Sequence, residues 1–293
     1  MRRLVAAFMA AAALTAAPAL LAPAGLFQAE AASGRIAIQS GGATRTALLL
    51  QQRRLKQAPR PLVVILRASA RDRAPRRGRL FGLDEMRRWA GATLVYPDPA
   101  GARWAFGKGA EAERDAGFVR DLVGRLVRAG GVDRRRIFIV GIGDGAAPAY
   151  RLACSANAPF AAYAASGAMP PDLAAACKPS KAPALMLIGA ASAPREAPAK
   201  GAAEALAPEA ALAVFARVSA CGDGRAVTLP PDRDPRDGWK VVLDRLEGCK
   251  APLAFARVEN DPPPAHDAPP SGAQAADVVG SKLILDFFRG VAR

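Results

Sequence analysis

Arg136-Ile137-Phe138-Ile139-Val140-Gly141-Ile142-Gly143-Asp144-Gly145-Ala146 is the stretch whose reading decides the fold. Ile137–Val140 is four consecutive bulky apolar residues, a run that suits a central strand buried on both faces. A glycine-rich turn ends it, and a helix is expected from about Ala146 to Cys154. The same signals recur outward in both directions. Leu62–Leu66, opened by Pro61, and Thr93–Tyr96, ended by Pro97-Asp98-Pro99, are further buried strands. Between them Arg71–Arg79 is a polar loop. Across residues 111–129, Phe118, Val119, Leu122, Val123, Leu126 and Val127 recur with helical spacing, and Gly130-Gly131 stops the helix. Arg35–Gln39 and Thr44–Gln51 flank Gly41-Gly42 as an opening hairpin. Downstream, Phe160–Ala164, Leu185–Ile188 and Leu253–Val258 are strands. Pro208 opens a helix carrying Leu212, Phe215 and Val218, and a closing helix carries Leu283, Ile284, Phe287 and Phe288. Residues 191–208 are an Ala/Pro-rich surface loop. Strands alternating with helices predict an α/β protein with a mostly parallel central sheet and helices on both faces. There is no internal repeat and no second core, so residues 32–293 are expected to form one domain.

The turn at Gly141–Ala146 admits two functional readings. As G-x-G-x-x-A it would let a pyrophosphate approach a helix N-terminus. That use needs an acidic residue about twenty positions on to hold a ribose. Residues 161–167 are Ala-Ala-Tyr-Ala-Ala-Ser-Gly, with no acid, and the turn follows several earlier strands. No nicotinamide or other cofactor is expected. As G-x-S-x-G the turn is a nucleophile elbow, a tight strand-to-helix turn that lifts its central residue above the sheet. Gly141 and Gly145 fit, but the centre is Gly143.

On the elbow reading, Val132-Asp133-Arg134-Arg135-Arg136-Ile137-Phe138-Ile139-Val140-Gly141 resembles the run into the elbow of the exported polyhydroxybutyrate depolymerase / feruloyl esterase family of α/β-hydrolases. Ala149–Cys154 is similar to that family's following helix. Arg60–Leu66 is similar to its first core strand, Val95-Tyr96-Pro97-Asp98 to its next strand end, and Asp232-Arg233-Asp234-Pro235, Gly238 and Gly248-Cys249 to the segment before its last core strand. The resemblance implies an α/β-hydrolase fold and an ancestral ester hydrolysis by serine, histidine and an acid, with backbone N–H groups for the oxyanion. It also implies that the site is degenerate. Gly143 stands at the serine position and has no side chain. Ser192 falls where the acid is expected and carries no charge. His266, the one histidine, is similar to the family's histidine, with Pro262-Pro263-Pro264 where glycines usually precede it. Arg67-Ala68 replaces the family's His-Gly, so Arg67 would bring a cation to the oxyanion site while the Ser69 N–H could still point into the pocket. Asp144 is one residue past the elbow centre. As a bare sequence feature it is a first-turn acid favoured by the helix dipole. No catalytic residue is expected with an intact role. The resemblance further pairs Cys154 with Cys177 and Cys221 with Cys249.

The rest of the chain bounds where the protein works. Arg2-Arg3 precede an uncharged, Ala/Leu-rich run from Leu4 to Phe27, and Ala29-Glu30-Ala31 offers small residues for cleavage after Ala31. Residues 1–31 are therefore expected to be a signal peptide, and the protein to be exported, periplasmic or secreted. Pro18 and Pro23 argue against an uncleaved anchor, and no later segment is long and apolar enough to span a membrane stably. Four cysteines in an exported chain favour two disulfides, and the absence of C-x-x-C argues against a metal site. The formal charge is +15, about +14 after loss of residues 1–31. Basic residues cluster from Arg53 to Arg79, read as solvated loops in an Arg/Ala-rich chain or as a patch for an anionic partner. Nucleic acid is not expected, because no aromatics interleave with the arginines. Three functions remain. One is a catalytically dead hydrolase that binds an anionic small molecule in its old pocket. Another is a weak or altered ester hydrolase using Ser69, Asp144 or a water. The third is a protein that acts through a basic surface on a cell-surface polymer.

Overall fold

In a computed structural model, the described residues are 34–51, 59–67, 83–89, 91–190, 205–231, 239–260 and 280–292. The expected signal peptide, Ser69, Ser192, His266, the Arg71–Arg79 loop and residues 232–238 lie outside them. The strands are β1 Gly34–Ser40, β2 Ala43–Leu50, β3 Arg60–Leu66, β4 Thr93–Pro97, β5 Val132–Ile142, β6 Ala162–Ser166, β7 Leu185–Ala190, β8 Arg225–Thr228, β9 Trp239–Leu246 and β10 Leu253–Asn260. The helices are α1 Ala110–Arg128, α2 Ala146–Ala153, α3 Asp172–Ala176, α4 Pro208–Val218 and α5 Gly280–Val291, with a 3-10 helix at Leu83–Arg88.

All ten strands join one sheet in the order β1-β2-β4-β3-β5-β6-β7-β10-β9-β8. The six strands from β4 to β10 run parallel, and antiparallel pairs close both edges. This is the mostly parallel, helix-covered sheet that the alternating pattern predicted.

The strand period of two divides the apolar residues between two cores. Leu62, Val64 and Leu66 of β3, Ile137 and Ile139 of β5 and Leu253 and Phe255 of β10 face α1, α2 and α4. Val63 and Ile65, Phe138 and Val140, and Ala254 and Ala256 face the opposite way, against α5 and the 3-10 helix. There Phe138 stacks on Phe288 with ring centroids 4.6 Å apart. A strand buried on both faces must be apolar throughout, which is why these strands read as continuous runs.

Five elements differ from the sequence expectation. Phe160 precedes β6 instead of opening it. β8, β9 and the five-residue α3 were not foreseen. β5 also begins earlier, because it carries a bulge: five residue steps from Val132 to Ile137 lie beside two steps of β3, from Arg60 to Leu62.

The two disulfides are Cys154–Cys177 and Cys221–Cys249, as the family resemblance implied. The first ties the end of α2 to the segment entering β7; the second ties the end of α4 to the turn between β9 and β10. Closing loops of 23 and 28 residues removes unfolded-state entropy worth about 3 kcal/mol each. Replacing either pair with serines should lower the unfolding free energy by about 2–4 kcal/mol, read from denaturant titration under non-reducing conditions.

Candidate functional site

The parallel sheet places one turn at its centre. β5 delivers Ile142 to the carboxyl end of the sheet, a single 3-10 turn follows at Gly143–Gly145, and α2 begins at Ala146. Ligand sites in parallel α/β sheets sit at this end of the strands. Gly143 has φ +59°, the left-handed region that glycine enters without a Cβ penalty, and it is exposed. Gly145 is buried, and a Cβ there would lie 2.2 Å from the Leu66 carbonyl oxygen. The turn therefore has elbow geometry, with its exposed apex occupied by a residue that has no side chain.

Asp144 is the functional group nearest that apex in sequence. Its Oδ2 accepts a hydrogen bond from the Trp104 backbone N–H at 3.1 Å. Its Oδ1 is buried without a partner among the described residues. Burial pushes the Asp144 carboxyl above the ordinary Asp range; the Trp104 N–H, the Arg103 charge and the N–H groups of Asp144 and Gly145 pull the other way. In an active elbow the N–H of the residue after the apex, here Asp144, is one of the two oxyanion donors.

Trp104 joins this turn to β3. Its indole Nε1 donates to the Arg67 carbonyl at 2.9 Å, and it is 3% exposed. The structure thus brings Arg67 and Asp144 into one network through a residue the sequence reading did not single out. Trp104 lies in the irregular connection between β4 and α1, where no periodicity marks a role. Arg67 itself is buried, with its guanidinium 5.2 Å from the centre of the Tyr96 ring. Ser69, Ser192 and His266 lie outside the described residues, and no group of three or more potential metal ligands occurs among the described ones. Nor does any described helix have the length and apolarity to cross a membrane.

With this geometry defined, known structures provide the class. The chain superposes on a thermostable esterase with TM-score 0.58 and 14% identity, covering 87% of this chain and 62% of that one. It superposes on the acetyl xylan esterase from Aspergillus awamori with TM-score 0.56 and 12% identity, covering 87% and 99%. A structure from a study of two prolyl endopeptidases gives TM-score 0.54 and 11% identity, covering 89% and 38%. The chain therefore spans just under two thirds of the thermostable esterase and all but a small part of the acetyl xylan esterase. Together with the strand order, these matches establish an α/β-hydrolase fold. No protein-family model and no curated protein matches the sequence.

The Asp144 environment has a pH consequence. A carboxyl whose folded value is raised above its unfolded value binds its proton more tightly when folded. Stability then falls as pH rises from the unfolded value through the folded one, and the ionised group is a standing cost above that window. Asp144→Asn keeps an oxygen to accept from Trp104 and removes the charge. It should be more resistant to urea than wild type at about pH 7, with the difference fading toward pH 4 and below, where Asp144 is protonated in both states.

Proposed function

We propose that this protein is an exported, degenerate member of the polyhydroxybutyrate depolymerase / feruloyl esterase family, with ester hydrolysis lost and a role in binding. The single observation that carries this reading is Gly143 at the exposed apex of an otherwise retained elbow. Nucleophilic acyl transfer needs an oxygen or sulfur at that apex, and glycine supplies neither. Asp144 is held by Trp104 one residue beyond the apex and does not replace it. The two disulfides fit an oxidising compartment outside the cytoplasm.

Hydrolysis of a short-chain p-nitrophenyl ester by the purified mature protein tests the reading. Wild type should match a buffer blank. Gly143→Ser places a side chain at positive φ and should cost about 1 kcal/mol of stability. It restores the nucleophile but not the acid, whose loss in a serine triad costs about 10⁴-fold in kcat. Turnover should therefore rise further in Gly143→Ser/Ser192→Asp. Wild-type turnover well above blank, removed by Asp144→Ala or Ser69→Ala, would overturn the proposal in favour of an altered hydrolase.

A further inference from the structure

We infer that the end of the sheet opposite the elbow is a basic docking face for an anionic phospholipid surface. The parallel topology collects strand starts and helix ends at this pole. α1 ends there with Arg128, β5 begins there with Arg134 and Arg135, Lys178 and Lys181 precede β7, and Lys250 precedes β10. All six side chains are exposed, and none forms an ion pair among the described residues.

The β5 bulge gives this face a defined shape. It inserts Asp133–Arg136 where β3 has the single residue Pro61. Asp133 accepts from the Arg135 backbone N–H at 2.9 Å and from the Arg136 guanidinium at 2.7 Å. Arg136 also donates to the Pro59 carbonyl at 3.0 Å. The carboxylate of the bulge is thus committed to holding it in place, and these contacts with Arg135 and Arg136 keep its carboxyl below the ordinary Asp range. Arg134 and Arg135 are left exposed, and neither forms an ion pair among the described residues. Asp223 and Glu247 stand away from the bulge, at the β8–β9 edge.

The arrangement favours a surface over a linear polyanion. From β5 to β10 the cations extend across three strand spacings, about 15 Å. Arg128 adds depth, because α1 packs on one face of the sheet. A two-dimensional array of unpaired cations matches a plane of phosphates, whereas a single strand of polymer calls for a row or groove. Basic residues near an anionic leaflet each favour adsorption, and salt screens the attraction. Among the described residues the exposed large apolar side chains are Val227 and Leu229, at and just after β8 rather than at this pole. The contact is therefore electrostatic and reversible, without insertion. It is independent of the elbow: the two ends of β5 are about 20 Å apart at ordinary strand rise.

Vesicle co-sedimentation of the full mature chain tests this. Vesicles of phosphatidylcholine with about one third phosphatidylglycerol are compared with pure phosphatidylcholine, in about 0.1 M and about 0.5 M NaCl. Wild type should sediment with the anionic vesicles at low salt only. Arg128→Glu/Arg134→Glu/Arg135→Glu/Lys181→Glu should weaken binding at least about tenfold. A control with the same charge change at the elbow end, Lys108→Glu/Arg114→Glu/Lys240→Glu/Lys282→Glu, should lose about threefold or less. Thermal unfolding verifies that both variants are folded; if the pole variant is not, neutral Arg134→Gln/Arg135→Gln replaces it and is compared with Lys108→Gln/Arg114→Gln, with about a threefold loss expected for the pole pair and none for the elbow-end pair. Equal losses in pole and control variants would overturn the inference, since net charge alone would then explain binding. Failure to bind anionic vesicles, with or without binding to a soluble anionic polysaccharide, would overturn it too.

Discussion

The contact between Gly145 and the Leu66 carbonyl sets the geometry on which the site depends. A Cβ at position 145 would stand 2.2 Å from that oxygen, so only glycine lets α2 start so close to the end of β3. The elbow, the last residue of β3 and the first turn of α2 are therefore one rigid piece. Rigidity here fixes the direction of everything attached to it. Gly143 is forced to the exposed apex, Asp144 is turned toward the Trp104 N–H, and Trp104 closes back on the Arg67 carbonyl. A fold selected only for packing would have no need of a positive-φ apex at the carboxyl end of its central strand. The turn keeps a geometry that suits a nucleophile, and here its apex carries glycine.

The persistence has a simple energetic basis. The core is built from alternate residues of β3, β5, β6, β7 and β10 packed against helices on both faces. Gly143, at the exposed apex, contributes to neither cluster. Replacing a surface serine with glycine at a left-handed position even relieves backbone strain. Chemistry can thus be removed from this scaffold without lowering its stability, whereas changing Gly145 cannot be done without moving β3 or α2.

The parts of the fold that were legible in the sequence are those where burial dictates composition. Leu62–Leu66 and Ile137–Val140 must be apolar at every position, because both faces are covered, and α1 must repeat its apolar residues at helical spacing. β8 carries no such obligation: Arg225-Ala226-Val227-Thr228 is an edge strand with mostly exposed side chains, paired on one side only. α3, at five residues, is too short to show a period. The β5 bulge was hidden for another reason. Asp133–Arg136 is polar because it leaves the ladder, and its register is set by hydrogen bonds from Asp133 that no spacing rule announces. The strand-turn-helix at Gly141–Ala146 was readable because it is a local motif. Trp104 was not, since its role arises from a loop crossing to a turn forty residues away.

Charge at the strand-start pole has two physical origins, and they can be separated residue by residue. Helix carboxyl ends carry partial negative charge, which favours a cation in the last turn by a few tenths to about 1 kcal/mol. Arg125 and Arg128 of α1, Arg217 of α4 and Arg289 of α5 all stand in last turns, where the helix dipole favours a cation whatever else it does. Arg134 and Arg135 have no such explanation. They sit on a strand, at a bulge whose own carboxylate is already committed, and their mutual repulsion is a cost to the folded monomer. Lys178, Lys181 and Lys250 are likewise outside helices. The helix dipoles thus explain why this pole is somewhat basic, while the bulge and the lysine segments give it cations that internal stability does not require. An external anionic surface would offset the repulsion among those cations, which is why the bulge is the part of the pole that distinguishes docking from helix capping.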